Sequence, residues 1–191
     1  MKTDYVNSAM YNRLYMIMQY PNALALRVCL ETGMRIGDVL AMTKYSLQGR
    51  TIRFTAQKTG KKCKKVISQD LANRLREIQG KEFIFTGRFG DKPRSRQTVW
   101  KDIKKASKII GAKQNIGAHS ARKTYAVEML HKDGLKAVQR ELQHDSPTTT
   151  MVYAFSDMLT NTDKAENECV ELSESTIEKI ADSVVRKLGN N

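Results

Sequence analysis

Apolar residues along this chain of 191 residues recur mostly every three or four positions, the spacing that places them on one face of a helix. The helices that this spacing predicts cover residues 8–19, 22–31, 36–42, 69–79, 95–110, 119–130 and 135–143. Pro21 separates the first two, because proline removes a backbone donor, and Gly33 ends the second. In the helix over residues 95–110, we expect Trp100 to pack into the core.

One alternating stretch predicts a β-hairpin among these helices. Residues 51–57 alternate apolar and polar side chains, which is the period of a half-buried strand. Gly60 supplies the turn, and the returning strand includes residues 66–67. Residues 83–85 predict a further short strand. We therefore expect an α+β fold that is mainly helical, with a small antiparallel sheet near the N-terminal third of the chain.

The net charge of the chain changes sign near residue 156. Residues 1–156 are long enough for one compact domain and carry a net charge of +17, whereas residues 157–191 carry −4. The tail contains an apolar stripe behind a capping box of Ser175 and Glu178, which predicts an amphipathic helix. We expect this acidic tail to stay away from any polyanion that the rest of the chain binds.

The charge of the whole chain narrows the class of partner. A net charge of +13 and a pI near 9.7 favour nucleic acid, because cationic side chains release counterions from a phosphate backbone. The three cysteines are widely spaced and form no CxxC pair, and no apolar run reaches signal or membrane length. We expect a cytoplasmic protein that uses no membrane and no metal.

Two groups of basic and hydroxyl side chains point to phosphodiester chemistry. His119 and Arg122 are three residues apart and so share one face of a helix, and His144 is followed nine residues later by Tyr153. Breaking a phosphodiester without a metal requires a nucleophile, cations over the non-bridging oxygens and an acid for the leaving oxygen. The chain has residue types for each of these roles.

The candidate catalytic residues, in chain order, are Arg35, Lys58, His119, Arg122, His144 and Tyr153. The two arginines are planar forks that suit phosphate oxygens, Tyr153 is the candidate nucleophile and Lys58 the candidate acid. The two histidines are candidates for proton transfer or hydrogen bonding.

Simpler roles remain open for some of these side chains. Arg35 can pair with Asp38, three residues on, and Lys61 or Lys62 can take the role of Lys58 on the same turn. Lysines on the hairpin and on one helix face are either phosphate contacts or solvated side chains. The candidate DNA-binding residues among them are Lys61, Lys62, Lys64, Lys101 and Lys105.

Taken together, these motifs resemble the catalytic domain of the tyrosine recombinase or phage integrase family. Residues 32–40 are similar to the first arginine box of that family, and the segment that begins at His119 is similar to its HxxR box. Residues 57–61 resemble the hairpin that carries the family's lysine. The step from His144 to Tyr153 has the family's histidine-to-tyrosine spacing, and the motifs span about two-thirds of the chain.

The resemblance implies a catalytic domain over residues 1–156 that cleaves and rejoins DNA at specific sites through a 3′-phosphotyrosine at Tyr153, with no cofactor. It implies double-stranded DNA as partner, a phage or mobile-element setting, accessory DNA-bending proteins, and a tetramer in which the tail helix docks on a neighbouring protomer. Docking of the tail on its own domain, a type IB topoisomerase and a DNA-binding regulator without catalysis remain alternatives. The target site, and the choice among integration, excision and inversion, stay open.

The sequence departs from the family pattern at three points. Asp38 stands where the family usually has glutamate, and we expect it to support Arg35. Gln143 replaces a glycine before His144, which costs about 1 kcal/mol if that backbone is left-handed. Only about thirty residues precede the arginine box, so we expect this chain to lack the N-terminal DNA-clamping domain of most relatives, as a minimal recombinase or a catalytic fragment.

Overall fold

The computed structural model describes residues 3–88, 90 and 92–142. Within these residues the helices are α1 (Ser8–Ile17), α2 (Tyr20–Thr32), α3 (Ile36–Leu40), α4 (Gln69–Ile78), α5 (Arg96–Ile109), α6 (Ala118–Asp133) and α7 (Leu135–Leu142). A 3₁₀ turn (Lys44–Ser46) precedes the three strands β1 (Leu47–Gln48), β2 (Thr51–Thr55) and β3 (Lys62–Val66). The predicted α+β, mainly helical fold is confirmed.

The predicted helices are confirmed with small shifts at their ends. Pro21 lies in the first turn of α2 instead of between two helices, because a proline there lacks an N–H that would have no intrahelical partner anyway. The short helix α3 ends at Leu40, two residues before its predicted end. Gln143, the last residue of the final predicted helix, lies outside the described residues.

The small antiparallel sheet has the strand order β1-β2-β3. Its hairpin is confirmed: Thr51 pairs with Val66 and Thr55 with Lys62. Gly60 has a φ of 66° in the turn, a left-handed conformation that glycine adopts without steric cost. The sheet therefore ends in a tight turn that presents the residues between β2 and β3.

Two details of the β structure differ from the predictions. The strand predicted over residues 83–85 is wrong, because Phe83 and Thr86 form only isolated bridges, to Thr43 and Pro93 respectively. Strand β1 was not predicted, since two residues are too few to show an alternating period.

Helix α2 is the centre of the core. Its side chains Ala25, Leu26, Val28 and Cys29 have no exposed surface, and the helix packs against α1, α3, α4 and α6. A helix that is apolar on nearly all sides is stable only when other elements surround it. Because the arginine box begins where α2 ends, this burial fixes the start of the candidate site.

The prediction that Trp100 packs into the core is wrong. Its side chain is 49% exposed, whereas Val99 and Ile103 on the same helix are fully buried. One residue step turns a helix by about 100°, which carries Trp100 from the buried face of α5 to its edge.

An N-terminal strap, residues 3–7, is bound along α6 and the loop before it. The Asp4 amide donates to the Asn115 carbonyl at 3.0 Å, and the Asn115 amide donates to the Asp4 carboxylate at 2.6 Å. Farther along, the Thr124 hydroxyl donates to the Val6 carbonyl at 2.6 Å. The strap is therefore anchored at both of its ends to the segment that carries the HxxR box.

All described residues belong to the first of two units into which the chain divides, residues 1–157 and 158–191. The predicted tail helix lies outside the described residues. No helix in the part of the chain that is described has the length and apolar character needed to cross a membrane.

Candidate active site

Arg35 lies at the junction of α2 and α3, as predicted. Helix α2 ends at Thr32, and its C-cap Gly33 turns the backbone with a φ of 66°. The Gly33 amide still donates to the Cys29 carbonyl at 2.9 Å. Arg35 is the N-cap of α3 but makes no capping hydrogen bond with its side chain, and it lines a cleft with Asp38 and Arg122. The bend between the two helices thus directs a guanidinium group to the cleft.

Arg122 lies in the floor of this cleft and is only 6% exposed. Its Nη1 donates to the carbonyl of Gly33 at 2.6 Å, and its Nη2 donates to the carbonyl of Leu142 at 2.7 Å. A buried cation requires such partners, because desolvation of an unpaired donor costs free energy. The side chain therefore joins the ends of α2 and α7 to α6 and supplies a positive charge to the cleft.

His119 lies one helical turn before Arg122, at the solvent-facing start of α6. Partial burial of the ring lowers its pKa below the usual 6.5, and the positive charges of Arg122, Arg35 and Lys123 lower it further. The imidazole is therefore neutral at neutral pH, so it can accept a proton or a hydrogen bond. Arg35 and Arg122 lie near enough for their charges to affect this ring. His119 itself lines a neighbouring cleft with Ile36 and Trp100, whereas the two arginines line the cleft described above.

Asp38 supports the hairpin instead of Arg35. Its Oδ1 accepts a hydrogen bond from the backbone amide of Gln57 at 2.9 Å, and Asp38 is 5% exposed. No ion pair joins Asp38 to Arg35 among the described residues. Because Gln57 precedes Lys58, the carboxylate fixes the base of the turn on which the candidate acid stands.

The remaining predicted lysines lie at the surface. Lys58 is exposed in the turn between β2 and β3, and the lysines predicted to bind DNA are also exposed, on the hairpin and on α5. Those residues are Lys61, Lys62, Lys64, Lys101 and Lys105. Their exposure leaves them accessible to a phosphate backbone, and their role stays a prediction.

His144 and Tyr153 lie outside the described residues, so their placement stays a prediction as well. Helix α7 carries the described chain to Leu142, which lies at the cleft. His144 follows two residues later in sequence.

Two further side chains that were not predicted, Lys65 and Glu141, border the cleft, and a third, Tyr125, contacts them. Lys65 of β3 pairs with Glu141 of α7, and Tyr125 of α6 lies against both. Burial, and then the charge of Glu141, raise the pKa of Tyr125 to about 12, so its hydroxyl stays protonated and can donate. The alternation along β3 could have indicated that Lys65 faces inward. Cys63 and Lys65 occupy the inward positions of this strand, and Lys62 and Lys64 the outward ones.

Among the described residues, no group of three His, Cys, Asp or Glu side chains is placed to hold a metal ion. The cleft is lined by three cations, Arg35, Lys65 and Arg122, together with two carboxylates and several apolar side chains.

Comparison with known proteins shows which family this chain matches. The family model described as the phage integrase family matches residues 4–159. Over 145 residues the chain is 26% identical to tyrosine recombinase XerD of Halalkalibacterium halodurans, covering 69% of this chain and 48% of that protein. Over 142 residues it is 30% identical to tyrosine recombinase XerC of Rickettsia canadensis, covering 69% and 46%. The chain thus spans about half the length of these curated relatives.

Solved structures show the same fold. A lambda integrase dimer bound to a COC′ core site superposes with a TM-score of 0.71 at 21% identity, covering 91% of this chain and 52% of that one. The catalytic domain of bacteriophage HP1 integrase superposes with a TM-score of 0.63 at 21% identity, covering 86% of this chain and 96% of that one. The predicted catalytic-domain fold is confirmed, and with a family model that matches most of its length this chain belongs to the phage integrase family.

Proposed function

We propose that this chain is the DNA-breaking and DNA-rejoining part of a tyrosine-type site-specific recombinase. The observation that carries the proposal is the buried Arg122, which holds the ends of α2 and α7 through two carbonyls and leaves its charge beside Arg35 and a neutral His119. Two guanidinium groups line one cleft, and their charges reach the nearby imidazole of His119. These are groups that can stabilise the transition state of phosphodiester cleavage. Membership of the phage integrase family supports this assignment.

The proposed reaction exchanges one phosphoester bond for another and needs neither a metal nor a nucleotide. The Tyr153 hydroxyl oxygen attacks the phosphorus and forms a phosphotyrosine bond, while the bond from phosphorus to the 5′-oxygen breaks. Lys58 gives a proton to the leaving 5′-oxygen, and His119 or His144 takes the proton of the tyrosine. Arg35 and Arg122 stabilise the charge on the non-bridging oxygens. Attack by a 5′-hydroxyl on the phosphotyrosine reverses these steps and rejoins the strand.

Double-stranded DNA is the proposed partner. One structural neighbour is XerH bound to a palindromic difH substrate, and another is a lambda integrase tetramer bound to a Holliday junction. By analogy we propose that this chain acts as a tetramer on DNA, in the cytoplasm, with its tail in contact with a neighbouring protomer. Whether the DNA belongs to a phage, a mobile element or a chromosome is decided by the target site.

A nicked suicide substrate tests the proposal directly. The purified protein is incubated without metal with nicked DNA from flanking genomic or phage sequence, and a denaturing gel reveals any covalent complex. We expect a covalent band for the wild type and for Tyr45→Phe, which alters an exposed tyrosine on the 3₁₀ turn, and none for Tyr153→Phe.

A band that persists in Tyr153→Phe would show that another residue is the nucleophile. Relaxation of plasmids that carry no specific site would assign the chain to the type IB topoisomerases. Tight DNA binding without a band in any variant, on a substrate that a full-length relative cleaves, would support a DNA-binding regulator.

A further inference from the structure

We propose that Lys65 and Glu141 form a latch between the hairpin and α7 that positions Arg122 for strand cleavage. The latch is the ion pair of these two side chains together with Tyr125. It makes Lys65 and Glu141 positioning residues, which act through Arg122. This inference rests on the proposed recombinase function.

Most contacts of the latch are made by the ammonium group of Lys65. Lys65 Nζ donates to the Glu141 main-chain carbonyl at 3.1 Å and also pairs with the Glu141 carboxylate. The same ammonium group lies 5.8 Å from the centre of the Tyr125 ring, and the Tyr125 hydroxyl donates to Glu141 Oε1 at 3.4 Å. One lysine therefore fixes both the backbone and the side chain of a single residue at the end of α7.

The position of the latch connects it to the arginine. Glu141 is adjacent to Leu142, whose carbonyl accepts from Arg122 Nη2, so a shift of Glu141 moves that acceptor. Tyr125 packs against Gly33, whose carbonyl accepts from Nη1: a Cβ built on Gly33 would lie 2.4 Å from Tyr125 Cδ1. The latch thus borders both carbonyls that hold the guanidinium group.

The latch also reaches the hairpin that carries the candidate acid. Lys65 is on β3, where it pairs with Ile52 of β2, and Lys58 lies in the turn between the two strands. Displacement of the hairpin is therefore transmitted to the end of α7. We infer that when the hairpin contacts DNA, its movement changes the position of Arg122 through Lys65.

Burial distinguishes this pair from an ordinary surface ion pair. The Lys65 side chain is 10% exposed and the Glu141 side chain 36% exposed, whereas the neighbouring Lys62 and Lys64 face solvent. A largely buried lysine carries a desolvation cost that an apolar residue in the same place avoids. The charged pair is thus better suited to setting geometry than to raising stability.

The test compares Lys65→Met, Glu141→Gln and the double variant, using the complete chain. With saturating nicked DNA, we expect each single variant to form the covalent complex about ten- to a hundredfold more slowly, because small displacements of a catalytic group reduce rates on that scale. The dissociation constant for DNA should stay within about twofold, because only the orientation of Arg122 changes. The double variant should be no slower than the slower single variant, since both changes break one interaction.

Matched controls separate this effect from a general loss of charge. Glu77→Gln on α4 and Lys81→Met in the following loop make the same chemical changes at exposed positions and should cleave at the wild-type rate. Lys65→Arg keeps the cation and should recover most of the rate. Single variants that cleave like their controls, or a double variant whose loss is the product of the two single losses, would overturn the latch.

Hydrogen exchange without DNA keeps the inference independent of the recombinase proposal. In folded Glu141→Gln and Lys65→Met we expect faster exchange at the amides of α7, while those of α4 stay unchanged. If the wild type forms no covalent complex, the recombinase proposal fails, and the exchange rates decide whether the latch holds α7. Wild-type exchange in both variants would overturn the latch.

Discussion

At the scale of single residues, the neutral state of His119 has a consequence for stability. Its folded pKa lies below the usual 6.5, so as pH falls the unfolded chain binds a proton before the folded chain does. The stability that this residue contributes is therefore complete above about pH 6.5 and decreases as the pH falls from there towards the lowered folded pKa.

We expect the free energy of unfolding of the wild type to fall more steeply between about pH 7 and pH 5 than that of His119→Gln, which cannot titrate. Urea unfolding at a series of pH values measures both slopes. Above about pH 7 the two curves should run parallel, which serves as the internal control. Equal slopes below that pH would contradict the lowered pKa.

Residue types predicted which of the described side chains lie near one another better than they predicted the contacts of those side chains. Arg35, His119 and Arg122 come together as their motifs indicated, because helical spacing fixes two of them and a helix end fixes the third. The partners of Arg122 and Asp38 were not predictable in this way. The three partners named above are backbone groups, two carbonyls and one amide, and every residue type except proline supplies both.

At the scale of elements, the end of α2 depends on Gly33 for two separate reasons. Its φ of 66° favours glycine, and the Tyr125 ring occupies the space of a side chain, 2.4 Å from the position of a Cβ. Gly49 has a similar φ of 59° but no atom within 4 Å of that position. Comparing Gly33 with Gly49 therefore separates the cost of backbone strain from the cost of steric overlap.

We expect Gly49→Ala to lower the free energy of unfolding by about 1 kcal/mol, the cost of left-handed backbone alone. Gly33→Ala should cost about 1–3 kcal/mol more, because Tyr125 must also move. Denaturant titration of both variants gives the comparison. Equal losses would show that the Tyr125 ring yields without cost.

The elements themselves were predictable wherever their periodicity was long enough. Helices α4 and α5 lie within one residue of their predicted ends, since each shows several turns of apolar spacing and a serine N-cap. Strand β1 and the bridges at Phe83 and Thr86 are too short for a period, and tertiary pairing alone decides them. Trp100 was misplaced because it borders the apolar stripe of α5, where a single residue step separates core from solvent.

At the scale of the whole molecule, the net charge of +13 predicts DNA binding that depends strongly on salt. We expect Lys61→Ala/Lys62→Ala to reduce the slope of log K against log salt concentration by about 0.9 for each phosphate that the variant no longer neutralises. The control Lys81→Ala/Lys132→Ala removes the same charge from exposed positions elsewhere and should keep the wild-type slope.

Fluorescence anisotropy with labelled duplex DNA at several salt concentrations measures these slopes. Identical slopes for the two double variants would mean that the hairpin lysines contribute only to the general field of the protein and do not bind phosphates directly.

The strap of residues 3–7 determines which element first bears a force applied at its end. Asp4 is bonded to the loop before α6 and Val6 to Thr124 within it, whereas the hairpin is held by other contacts. A pulling force applied at residue 3 therefore loads the helix of His119 and Arg122 before it loads the sheet. Tension at that end of the chain would therefore shift α6 relative to the rest of the cleft. It would slow or speed the proposed strand cleavage according to the direction of the pull.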